Sequence, residues 1–153
     1  MTRTQDNAGA GDKAEMEGGP SVSETSLLRP EGLVRSPAFS HVAVVPPGAT
    51  TVYVAGQNAV DGAGDLIGGD DIAAQTQQVM TNLHVALAAA GASVQDLVMM
   101  TILVVEGADL TTAYPVAAAE LAGAAPPVVA VQVAGLAVPG ALLEVSAVAA
   151  ITS

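Results

Sequence analysis

The chain has no cysteine and no tryptophan, and only Phe39, Tyr53 and Tyr114 are aromatic among its 153 residues. Without cysteine there is no disulfide framework, no thiol nucleophile and no thiolate-ligated metal. The only histidines are His41 and His84, too few for a histidine cluster, so no metal site is expected. Cations are the sharpest deficit. Arg3, Lys13, Arg29 and Arg35 are the only basic residues, and from Ser36 onward there is no Lys or Arg at all. Nucleic-acid binding relies on such residues to neutralise phosphates, so it is excluded as a function class, and binding to anionic membranes is excluded on the same ground. The N-terminus carries no apolar core of a signal peptide, which gives the expectation of a cytoplasmic protein.

What is present is small and apolar. Hydrophobic residues make up 51% of the chain, so its length allows a real core built from Ala, Val, Leu and Met. Residues 1–26 are rich in Gly, Glu, Asp and Ser with almost no large apolar side chain. They are expected to form a disordered leader ahead of one domain over 27–153. The uncharged run from Leu121 to Leu143 is long enough to span a bilayer, but Pro126, Pro127, Pro139 and several glycines break it. It reads instead as strands.

Taken in order, Leu27–Pro37 reads as an extended approach, followed by a hairpin of Phe39–Val45 and Thr50–Gln57 across Pro46–Ala49. The loop from Asn58 to Asp71 is rich in Gly and Asp, yet its spacing fails the calcium-loop pattern, so solvated turns are expected. Ile72–Ala90 carries an apolar stripe at helical spacing, with Asp70 or Asp71 placed to cap it and Gly91 placed to end it. Leu97–Gly107 is apolar on both faces and reads as a central, doubly covered strand. Asp109–Gly123 is a second helix that must accommodate Pro115, and Val128–Val133 with Leu142–Ala149 reads as a closing hairpin. The order is β-β-α-β-α-β-β, an α+β sandwich with a mostly antiparallel sheet and two helices on one face.

Period-two geometry places Leu143, Val145, Ala147 and Ala149 on one face of the last strand, and Glu144, Ser146 and Val148 on the other. Glu144 is the only charged residue after Leu121. A carboxylate in such a strand either faces water or needs donors around it. Because the strands are apolar on both faces while helices cover only one, the second face is expected to pack against other copies in a closed homo-oligomer.

The segments "FSHVAVV", "TVYVAGQNAVDGAGDLIGG", "AAQTQQVMTNLHVALAAAGASVQDLVMMTILV" and "PGALLEVSAVA" resemble the Rid family, also called the YjgF family, over about Arg35–Ile151. The resemblance implies barrel-like homotrimers of a chorismate-mutase-like fold, with a small-molecule cleft at each subunit interface and no cofactor. In the best-known branch an arginine on the penultimate strand grips a substrate carboxylate. A glutamate on the last strand positions water to hydrolyse imines and enamines. Matched strand to strand, the glutamate falls at Glu144 and the arginine at Val128, on the strand that also carries Ala130 and Gln132. The family's aromatic falls at Phe39, its "SGQ" serine at Ala55 beside Gln57, and its second-helix asparagine near Tyr114.

The loss of the arginine is the main departure. An arginine–carboxylate contact orients a ligand strongly, and nothing on the neighbouring strands replaces it. The resemblance therefore implies a divergent branch, and three readings follow from it. Glu144 could act as general base or acid on a neutral or cationic metabolite, by hydrolysis or cyclisation. The trimer could bind a metabolite or a protein without turnover. Or ordinary imine deamination could persist, with Arg29 or Arg35 reaching a neighbour's cleft.

Overall fold

The computed structural model describes residues 23–153. The leader expected over 1–26 lies outside the described residues up to position 22, and Ser26 already belongs to a strand. In chain order the elements are β1 (Ser26–Leu28), β2 (Val42–Val44), β3 (Thr50–Gln57), α1 (Ile72–Ala89), β4 (Leu97–Val105), α2 (Leu110–Leu121), β5 (Val128–Val133) and β6 (Leu143–Ile151). A short 3₁₀ turn, Val94–Asp96, leads into β4.

Strands β3, β6, β4 and β5 form one sheet in that order. The β3–β6 and β6–β4 pairs are antiparallel, and β4–β5 is parallel. The expected closing hairpin does not form: β4 lies between β5 and β6, and α2 provides the crossover that a parallel β4–β5 pair needs. The first expected hairpin is also replaced. Strand β2 pairs with β1, Leu28 opposite Val42, in a separate two-stranded ribbon. Pro46 and Pro47 lack N–H groups, and the turn closes from Ala49 N–H to Pro46 O with Gly48 at φ +87°. A turn of that hand splays its flanking strands rather than pairing them.

Asp71 caps α1, its carboxylate accepting from the N–H groups of Ala73 (2.9 Å) and Ala74 (3.3 Å). At the other end Gly91 N–H donates to Ala88 O and Ala92 N–H to Leu87 O, the paired pattern of a Schellman motif, with Gly91 at φ +74°. The face of α1 formed by Ile72, Thr76, Val79, Met80, Leu83 and Leu87 is buried. It packs with Val54, Met100, Val104, Leu143, Val145, Ala147 and Ala149 of the sheet into one core. Helix α2 is capped by Asp109 and ends at Leu121, two residues before its expected limit, because Ala122 turns left-handed at φ 48°. Pro115 sits inside this helix, beyond its first turn. His84 bridges the two helices, its Nε2 lying 3.2 Å from the Glu120 carboxylate.

Strand β4 is interior to the sheet, as its composition indicates, but its two faces differ. Met100 and Val104 are buried against the helices, whereas Met99, Thr101 and Leu103 are only half-buried. Their side of the sheet has no helix over it among the described residues.

Candidate functional site

The register identifies the open face residue by residue. Glu144 stands opposite Leu103, Ser146 opposite Thr101, and Val148 opposite Tyr53 and Met99. On β5 the same rows continue to Val129 and Val131, both exposed. Tyr53 is 81% exposed on this face. Glu144 is the only charged residue in any of the four strands of the sheet. It is half-buried, and its carboxylate has no hydrogen-bond partner among the described residues. A shallow depression of about 180 Å³ lies two residues further along, lined by Tyr53, Met99, Thr101, Ser146 and Val148.

Strand β3 bulges opposite this carboxylate. Its pairing with β6 slips between Val54 and Gln57, leaving Ala55 and Gly56 outside the ladder and exposed. Gly56 lies directly against the Glu144 side chain. The Gln57 amide turns back onto Ala55 O at 3.1 Å, and its residue pairs with Val145, on the core side.

The remaining sequence-derived positions are divided by the sheet. Val128, Ala130 and Gln132 register with Met100, Ile102 and Val104, so they belong to the helix-side rows and not to the rows of Glu144. Val128 is also two strands across and three residues along from Glu144. With ordinary strand spacings that separation is roughly 14 Å. Phe39 sits at the Val128 end: its neighbour Ser40 donates through N–H to Pro126 O at 3.3 Å. The Phe39 ring meets His41 edge-on at 5.4 Å, and Arg29 Nε donates to Phe39 O and Ser36 O. Tyr114 lies on α2 and is 59% exposed. One chain thus brings Glu144 together with Ala55 and Gly56, and leaves Phe39, Val128 and Tyr114 apart from them.

Sequence reasoning missed the amide side chains that hold this region. Gln75 is fully buried on α1. Its Nε2 donates to Gly69 O (2.6 Å) and Gly140 O (2.9 Å), and its Oε1 accepts from Leu142 N–H (2.8 Å). Asn58 Nδ2 donates to Leu143 O at 3.2 Å, and Asn82 Nδ2 holds Asn58 O and Val60 O. The backbone is therefore fixed at the two residues immediately before Glu144. The available signal was a glutamine on the apolar stripe of α1, a position that requires partners once buried.

A larger concavity, about 430 Å³, lies between the helix N-termini and is lined by Asp70, Asp71, Glu106 and Asp109 among others. Two of these carboxylates are already occupied as helix caps. Hydrogen bonds from the Thr111 hydroxyl and then its N–H hold the Asp109 carboxyl below its ordinary range. Among the described residues no three His, Cys, Asp or Glu side chains gather as metal ligands, and no helix is long and apolar enough to cross a membrane.

The comparisons with known proteins agree with one another. The family model described as endoribonuclease L-PSP matches residues 34–151. YyfB of Yersinia pestis, a conserved Rid-family protein, is 33% identical with a TM-score of 0.74, over 84% of this chain and 99% of its own. RidA of an Antarctic Psychrobacter is 29% identical with a TM-score of 0.60, over 77% of this chain and 98% of its own. TdcF of Escherichia coli, crystallised with bound serine, is 26% identical with a TM-score of 0.59, over 76% of this chain and 96% of its own. No curated protein gives a significant match. The matched span covers most of the chain, and the α+β architecture is shared, so the chain belongs to the endoribonuclease L-PSP family, that of the Rid proteins.

Proposed function

We propose that this protein is a cytoplasmic, cofactor-independent Rid-family homotrimer with a small-molecule cleft between subunits. In it Glu144 acts as general base or acid on a neutral or cationic metabolite. One observation carries the reading: the only charge of the whole sheet, Glu144, stands on a face otherwise made of Leu103, Met99, Val148, Val129 and Val131. Docking that face against another copy removes the apolar area from water. It also supplies the groups that one chain holds far from Glu144, so Phe39 and Val128 of a neighbouring copy would complete the cleft.

Charge selects the substrate class. Val128 offers no cation, and after Arg35 there is none anywhere in the chain. An anionic imino acid approaching Glu144 would meet repulsion and no compensating partner on the sheet, whereas a protonated imine meets attraction and a neutral one no repulsion. The carboxylate would then take a proton from water attacking the imine carbon and return it to the departing amine. Nucleic-acid cleavage does not suit the same surface, since phosphates would find no counter-charge on it.

A second reading has its own support. Among the described residues Glu144 receives no hydrogen bond that would orient it, and Ala55 and Val128 are apolar where the family resemblance places a serine and an arginine. Those features suit a trimer that binds a metabolite without converting it. Turnover separates the two readings. An imine lacking a carboxylate, generated by an amine oxidase and trapped competitively with semicarbazide, is expected to hydrolyse faster with the protein than without it. Glu144→Gln is expected to remove that acceleration while the oligomer, measured by light scattering, is unchanged. Equal rates with wild type and no protein would leave the binding reading in possession.

A further inference from the structure

The β3 bulge sets a glycine against the one carboxylate of the sheet, and the reason is space rather than backbone conformation. Gly56 is not among the glycines with positive φ. A Cβ at this position would overlap Oε1 and Cδ of Glu144 and would lie 2.9 Å from its Cγ. Because Cγ is crowded as well, turning the carboxyl group alone does not clear the clash; the side chain must leave for another rotamer. On the β6 side the backbone next to this side chain is held, since Gln75 holds Leu142 N–H and Asn58 holds Leu143 O.

We infer that Gly56 is a positioning residue for Glu144: its bare Cα is the room in which the side chain lies, and it directs the carboxylate over the β3 bulge. Bulges commonly re-aim side chains beside functional sites, and here the bulge removes both a side chain and a rung of pairing at the same place. The consequence concerns where a ligand reacts. The group that Glu144 serves must lie over the β3–β6 pair, next to Ala55 and Gly56, and not over β4 and β5. This inference rests on the proposed role of Glu144 and adds what fixes its direction.

A double-mutant cycle tests it without a known substrate. The four forms are wild type, Gly56→Ala, Glu144→Ala and the double variant, unfolded by urea at one fixed protomer concentration. With Glu144 present, Gly56→Ala is expected to lower the folding constant roughly tenfold; with Glu144→Ala it should cost less than about twofold. If Gly56→Ala alone does not fold, recovery of folding in the double variant is the same result. An equal cost in both backgrounds, or no recovery, overturns the inference, because a backbone requirement for glycine would not depend on Glu144. On the carboxylate-free imine, Gly56→Ala is further expected to lower kcat with KM nearly unchanged. Should Glu144→Gln retain full turnover, the catalytic reading fails, while the cycle still reports on the contact itself.

Discussion

Replacing Gln75 with leucine should be among the most damaging single changes available outside the apolar core. The side chain is 0% exposed and makes three hydrogen bonds, each to a different backbone group. Leucine keeps nearly the same volume, so the loss is one of polar satisfaction and not of a cavity. Leaving a buried polar group unpaired costs about 1–3 kcal/mol. The hydrogen bonds to Gly69 and Gly140 are only partly buried, which puts each group near the low end and the total at about 3 kcal/mol. For a domain of this length that corresponds to a fall in Tm of about 6–12 °C, measured by calorimetry at one protomer concentration. Gln75→Glu sharpens the test. The new carboxylate still accepts from Leu142 N–H but faces two carbonyl oxygens, so its folded pKa is raised. The folded state then binds more protons than the unfolded one, and the deficit relative to wild type should grow as pH rises through the carboxylate range. A loss below about 1 kcal/mol for Gln75→Leu would refute the view that this amide clamps the approach to Glu144.

Two further expectations address the open face and the second helix. Val131→Glu places a charge on the apolar surface proposed as the subunit interface and should convert the proposed trimer to monomers by light scattering; an oligomer unaffected by it would remove this face from the interface. Asp109→Ala removes the cap of α2, and its effect should depend on pH. The Asp109 carboxyl is held below its ordinary range by Thr111, so its contribution is complete above that range and disappears as pH falls through the lowered folded pKa. Wild type and variant should therefore converge in Tm at acid pH, and a constant gap would contradict the assignment.

What could be read from the chain depended on how local the information was. The stripe and caps of α1 depend on neighbours three or four residues apart, and Asp71 and Gly91 act where their positions indicate. Strand faces follow from a period of two, so Glu144 and Val148 could be set opposite Leu143 and Val145 without knowing their partners. Pairing is a long-range property. Nothing in the composition of Val128–Val133 distinguishes a hairpin partner of β6 from a parallel neighbour of β4, and the strand order had to come from the structure. Likewise, matching Val128 to a site position did not reveal that it belongs to the helix-side rows of the sheet. Gly56 and Gln75 escaped because a glycine in a strand and a glutamine in a helix acquire meaning only from what packs against them.

The most direct test of the account compares two imines under one trap. An amino-acid oxidase supplies an imino acid, an amine oxidase supplies an imine without a carboxylate, and semicarbazide competes with the protein for each. Acceleration of the second and none of the first is expected, because the sheet face proposed to line the cleft carries Glu144 and no cation. Acceleration of the imino acid would contradict it, and would point to Arg29, held beside Phe39, as the group that meets the carboxylate.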